Sequence, residues 1–214
     1  MKKILLMAAV LLSSVGAFAQ HEVGAFTLQP KVGMNIANMT DLSNPDSKTL
    51  IGFTGGVEAE YQAADIFSIS AGVLYSKQGY TFDDFTVQGV GLKDPTVSLD
   101  YINVPIMANV YVAKGLAVKL GVQPGFLVGS KWKRDFNAGS LGSKDYDDDI
   151  KDHMNKVDFT IPVGLSYEFS GVPVVIDARY NWGLTKTFKD DSYFFNKDSK
   201  NSVFQITLGY KFEL

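Results

Sequence analysis

Cysteine is absent from the 214 residues, which excludes disulfide staples and thiolate metal sites. Histidine is nearly as scarce, with His21 and His153 alone, and no Gly-x-Ser-x-Gly nucleophile motif is present. No stretch approaches the eighteen or so consecutive apolar residues of a membrane-spanning helix, and the run Ile4 to Leu12 is far too short for one. A basic surplus is missing as well. Lys and Arg number 20 against 23 Asp and Glu, a net charge of −3, so the broad basic surface of a nucleic-acid binder is not available.

What is present begins with an export pattern. Lys2 and Lys3 precede the apolar run, and Ala17-Phe18-Ala19 has the small-x-small form of a cleavage site. Residues 1–19 are expected to be a signal peptide and residues 20–214 one barrel domain. Without Lys2 and Lys3 the basic count falls from 20 to 18, and 18 − 23 gives −5. Aromatics at 13% and 20 glycines suit a barrel with interfacial rings and a crowded interior.

The hairpin from Val157 to Leu184 sets the pattern. Val157, Phe159, Ile161, Val163, Leu165, Tyr167 and Phe169 alternate with Asp158, Thr160, Pro162, Gly164, Ser166 and Glu168. After Ser170-Gly171-Val172-Pro173, the residues Val174, Ile176, Ala178, Tyr180, Trp182 and Leu184 alternate with Asp177, Arg179 and Asn181, and Val175 is one apolar intruder. Alternate side chains of a strand lie on opposite faces, so each arm has one apolar and one polar face. Each arm is long enough to cross a bilayer as a tilted strand.

The same alternation marks six more strands, at about 26–36, 52–62, 66–77, 99–112, 116–129 and 202–214. Pro30 predicts a bulge or a missing ladder bond in the first. Connections alternate long and short: 37–50, 78–97, 130–156 and 185–201 read as long loops, the others as tight turns. Eight strands so joined predict an all-β fold: an eight-stranded antiparallel transmembrane β-barrel in an up-and-down meander, with periplasmic termini. In a soluble barrel the apolar set would face inward. Here the polar set holds Lys31, Glu58, Glu60, Lys119, Asp158, Glu168, Asp177, Arg179 and Lys211 among small residues, which suits a narrow filled interior.

Three motifs carry a family resemblance. Tyr101-Ile102-Asn103-Val104-Pro105-Ile106 resembles an aromatic-x-x-x-Pro-apolar strand, and Asp177 to Leu184 resembles a D-x-R-Y-x-x-G-L strand. Both are features of the porin-like, PorT-type outer-membrane barrels of Bacteroidota. Gly209-Tyr210-Lys211-Phe212-Glu213-Leu214 is similar to the terminal assembly signal of such barrels. The resemblance implies the barrel fold and an outer-membrane location; it fixes no substrate.

The nine interior charges form the first candidate site, read either as a structural network of paired acids and bases or as a polar conduit. Asp177 and Arg179 share a face, with Glu58, Glu60 and Lys119 as expected cross-strand partners. Asp145-Tyr146-Asp147-Asp148-Asp149, with Asp152 and His153, is either a hard-cation cluster or a solvated acidic loop facing lipopolysaccharide, and it lacks the glycine and terminal glutamate of an EF-hand. His153 is a candidate general base of the kind used by eight-stranded outer-membrane acyltransferases, but lacks a nucleophile motif beside it. Trp132, Tyr193, Phe194 and Phe195 fall in loops as candidate interface anchors.

The expected function is non-enzymatic: an integral outer-membrane barrel with a mostly filled lumen, its inward Met107 and Leu127 adding to the plug, and loops used for structure or interaction. The alternative is a narrow porin-like channel for ions or small solutes. No cofactor, metal or catalytic residue is expected. The expected partners are outer-membrane lipid and lipopolysaccharide, and the barrel-assembly machinery during biogenesis.

Overall fold

Period-two alternation produces strands throughout the chain. The computed structural model describes residues 21–40, 47–82, 85–87, 90–137, 143–189 and 198–214. The strands are β1 (Phe26–Thr40), β2 (Ser47–Ala64), β3 (Phe67–Phe82), β4 (Phe85–Val87), β5 (Val90–Asn103), β6 (Ile106–Ala113), β7 (Leu116–Asn137), β8 (Ser143–Asp148), β9 (Val157–Glu168), β10 (Val174–Gly183), β11 (Lys200–Tyr210) and β12 (Phe212–Glu213). A 3-10 turn spans Lys151–His153. Among the described residues no helix is long and apolar enough to cross a membrane.

The segments assemble into a ring of eight antiparallel staves. β5 and β6 form one stave, interrupted at Val104-Pro105, and β11 and β12 another, interrupted at Lys211. β4 and β8 are short partners of β5 and β7. The ring closes where β1 pairs with β11, from Lys31↔Gly209 to Thr40↔Lys200, and with β12 at Thr27↔Glu213. Pro105 has no N–H, yet pairing continues across it: Gly72 donates to the Pro105 carbonyl (3.1 Å) and Val104 donates to that of Pro124 (2.8 Å). At Pro30 the β1–β2 register is continuous, while the ladder on the other side skips from Lys31↔Gly209 to Leu28↔Phe212. The missing ladder bond, not a bulge, is the outcome there.

The faces divide as the alternation predicts. Val32, Phe53, Leu120, Val163, Trp182 and Leu208 point outward and are exposed, whereas Lys31, Glu58, Lys119, Asp177 and Arg179 are buried inside. From Phe26 to Ile36 the outward face of β1 is apolar at every second position. Ten residue steps at about 3.3 Å, tilted by about 45°, span roughly 23 Å, which matches the apolar band of a membrane barrel. In strand 99–112, Tyr101, Asn103, Met107 and Asn109 face inward and are buried.

The strand boundaries differ from the expectation at one end of the barrel, here the loop end. The expected loop 78–97 is largely strand, because β3 runs to Phe82 and β5 starts at Val90. The expected loop 130–156 contains the end of β7 and all of β8. Where their side chains are described, at Thr81, Thr96, Lys131 and Lys133, polar residues stand on the outer face, so these extensions lack the lipid-facing pattern that marks a membrane strand. Near Gly129 the β5–β7 register shifts, from Asp100↔Gly129 to Tyr101↔Leu127. The bulge exchanges the faces of β7 beyond it. Trp132 therefore packs against the buried cluster at the loop end and is not the loop anchor expected of it.

Candidate functional site in the barrel lumen

Asp177 and Arg179 lie two apart on β10 and so project inward from one face. The Arg179 guanidinium folds back on its neighbour, with Nε to Asp177 Oδ1 at 2.6 Å and Nη2 to Oδ2 at 2.7 Å. Its other edge meets β2, with Nη1 donating to Glu58 Oε1 (2.6 Å) and Nη2 to Oε2 (2.7 Å). A planar five-donor fork is what permits two bidentate pairs at once; a lysine ammonium has no such geometry. Lys31 Nζ donates to Glu58 Oε2 (2.8 Å) and Lys119 Nζ to Asp177 Oδ2 (3.0 Å). Staves β1, β2, β7 and β10 are thus tied across the lumen.

Glycine makes the room. Gly164 pairs directly with Arg179, and a Cβ there would meet the Ala178 carbonyl and lie 3.0 Å from Arg179 Cγ. At Gly72 a Cβ would stand 2.5 Å from Glu58 Cγ. The cluster holds three cations against two carboxylates, a surplus of one positive charge.

A second group lies at the opposite, turn end. Lys211 Nζ reaches Glu60 Oε2 (3.1 Å) and Glu168 Oε2 (2.9 Å). Glu60 Oε1 accepts from Ser68 and Tyr111 hydroxyls, both at 2.5 Å. His21 closes this mouth, its Nε2 3.3 Å from Glu168 Oε1 and its Nδ1 3.8 Å from Glu213 Oε2. The lead-in is tied down by Gly24 N–H to the Gln62 carbonyl (2.8 Å) and Gln62 N–H to that of Ala25 (2.9 Å). With one lysine and two buried glutamates, this group carries the opposite surplus to the cluster above it.

Between the central cluster and the loop end the lumen is neutral and hydrogen-bonded. Asn35 donates to Ser76 (2.9 Å), Gln123 to Thr160 (3.1 Å) and Asn181 to Gln205 (3.2 Å). Asp158 lies above this level, with Thr185 donating to Oδ1 (2.5 Å) and Asn201 to Oδ2 (2.6 Å). Of the nine predicted interior charges, the structure brings five into the central cluster, places Glu60, Glu168 and Lys211 at the turn end, and leaves Asp158 apart. Glu60 is therefore not a partner of Arg179, contrary to expectation, because it points into the next layer towards the turns.

A lid covers the loop end. Residues 153–155 run beside residues 187–189 against the loop-end cluster, held by Asn155 N–H to the Thr187 carbonyl (2.9 Å) and Lys189 N–H to that of His153 (3.0 Å). Met154 and Phe188 face one another as an isolated bridge and are fully buried. They join Met39, Tyr80, Val97, Leu99, Tyr101, Leu127 and Ile150 in one apolar cluster.

Of the remaining candidates, those that are described lie outside this interior. Asp148, Asp149 and Asp152 are exposed, and the side chains of Asp145 and Asp147 lie outside the described residues. Asp149 accepts from the Lys151 N–H (2.9 Å) and from Ser130 Oγ (3.0 Å), which hold its carboxyl below the usual range. Among the described residues no three His, Cys, Asp or Glu side chains converge as metal ligands. His153 is exposed on the lid. Tyr193, Phe194 and Phe195 lie outside the described residues. Sequence reasoning missed His21, Tyr111 and the lid. Inward period-two placement marks Tyr111; nothing in the local sequence marks His21, Met154 or Phe188.

A family described as "Outer membrane protein beta-barrel domain" matches residues 18–189. No curated protein sequence matches the chain. Solved structures similar to this one include Ail of Yersinia pestis in complex with the heparin analogue sucrose octasulfate, at 14% identity, 89% of this chain, 100% of that chain and a TM-score of 0.47. Neisserial surface protein A is similar at 15% identity, 88% and 99% coverage and a TM-score of 0.45. OprG of Pseudomonas aeruginosa is similar at 13% identity, 90% and 97% coverage and a TM-score of 0.44.

Proposed function

Because the chain belongs to the outer membrane protein β-barrel domain family, it is an integral outer-membrane barrel, and we propose that it works closed, as a scaffold presenting its loop end to the cell exterior. The observation that carries this reading is occlusion at three levels. The lid caps the loop end, the Arg179 cluster crosses the middle, and Lys211, Glu60, Glu168 and His21 fill the turn end. A lumen so filled leaves the loop-end surface as the working surface. The short turns and both termini then face the periplasm, as is general for bacterial outer-membrane barrels. Outer-membrane lipid and lipopolysaccharide surround the band, and the barrel-assembly machinery inserts the chain.

The strands around Asn103 and Arg179 support a finer placement among PorT-type barrels of Bacteroidota. A non-enzymatic role accords with an interior whose acids and bases are committed to one another. A conducting lumen would require displacing Arg179, which no observation favours. The absence of cysteine allows a clean test. Single-cysteine variants at Asp149 (loop end) and Ser170 (turn end) are treated with an impermeant maleimide on intact cells. Labelling at residue 149 alone is the expected result; labelling at residue 170 alone would overturn the orientation.

A further inference from the structure

We propose that the loop end of the lumen holds a monovalent, oxygen-coordinated cation of the sodium class beside Asp158, beneath the lid. Among the described residues there are five buried carboxylates: Glu58, Glu60, Asp158, Glu168 and Asp177. Four of them have a lysine or arginine within ion-pair distance. Asp158 is 4% exposed, and its side-chain partners, Thr185 and Asn201, are neutral. Neutral donors spread a buried charge but do not cancel it. Lys186, the cation next to Thr185, turns away to Asp198 at 2.9 Å.

Buried acceptor oxygens lie on the two segments whose Thr185 and Asn201 touch this carboxylate. Asn201 commits its amide nitrogen to Asp158, and its Oδ1 is buried without a partner. Ser199, two residues earlier and also inward, has an unpartnered Oγ, and Thr187 has an unpartnered Oγ1. These three residues are at most 1% exposed. The Thr187 N–H donates to the Ser199 carbonyl (2.9 Å), which holds the two side by side. Carboxylate, amide and hydroxyl oxygens select hard cations over transition metals. With one carboxylate, a monovalent ion leaves the buried site neutral, whereas a divalent ion would leave an uncompensated charge. The bound ion would join β9, the start of β11 and the segment that leads directly to Phe188, and so fasten the lid.

The full-length barrel, refolded in lipid vesicles, is unfolded in urea at pH 7 in sodium chloride and in N-methyl-D-glucamine chloride at matched ionic strength. Free sodium at ten times its Kd multiplies the folded-to-unfolded ratio about elevenfold. Asp158→Asn should abolish that shift and Ser199→Ala should reduce it. Crystals soaked in thallium(I) should show an anomalous peak beside Asp158. Equal midpoints in the two salts, an undiminished sodium shift in Asp158→Asn, or no thallium peak would each overturn the proposal. Should Asp158→Asn fail to refold, Ser199→Ala and the thallium peak decide it.

Discussion

Glu58→Gln removes one charge from the centre of the barrel with almost no change in volume. The wild-type carboxylate accepts from Arg179 twice, at 2.6 and 2.7 Å, and from Lys31 at 2.8 Å. The substituted amide keeps one acceptor oxygen and turns an NH2 group towards cationic donors. Lys31, Lys119 and Arg179 are then left with Asp177 alone, and the buried surplus rises from one positive charge to two. Breaking one partner out of a buried ion pair costs about 3–5 kcal/mol. Adding Lys31→Met returns the surplus to one, so the double variant should be about 1–3 kcal/mol more stable than the sum of the single losses. The assay is urea unfolding of vesicle-inserted protein, followed by the heat-modifiable gel shift. The loss should hold across salt concentrations, because the group is shielded from solvent ions. A loss below about 1 kcal/mol, or strict additivity in the double variant, would refute the claim that these charges act as one cluster.

Three further outcomes follow from the same geometry. Gly72→Ala should destabilise by about 1–3 kcal/mol in the same assay, since its Cβ would lie 2.5 Å from both the Val57 carbonyl and Glu58 Cγ. Ile206→Arg on the lipid face should cost about 2–4 kcal/mol near the midplane, and unimpaired vesicle insertion would contradict the facing. Phe188→Ala should weaken lid closure by about 3–5 kcal/mol while leaving the barrel gel shift unchanged. Trp132 packs against that cluster, so its fluorescence in a Trp182→Phe background should shift to the red; an unchanged spectrum would place Phe188 outside the lid's core.

The alternation of apolar and polar residues sufficed to read the ring and to turn the nine charges inward, but it left the facing of strand 99–112 open, because Tyr101 and Met107 stand on its polar side. The ring was legible because a membrane strand repeats one rule over its whole length. The strand extensions at the loop end escaped because polar residues such as Thr81 and Thr96 stand there with no lipid to repel them. The lid escaped because Met154 and Phe188 come from segments with no period. Pairing across the lumen was only partly legible. Asp177 and Arg179 share a face by spacing alone, but the choice of Glu58 over Glu60 depends on strand tilt and ring closure. His21 acquires its role only because β9 and β12 end beside the lead-in.

The central claim is that the lumen is closed, and single-channel conductance of the refolded barrel in a planar bilayer tests it most directly. Wild-type protein with a verified gel shift should be silent, and Phe188→Ala should remain silent because the Arg179 cluster bars the lumen independently of the lid. Steady wild-type openings that change when Glu58 or Arg179 is neutralised would contradict the account.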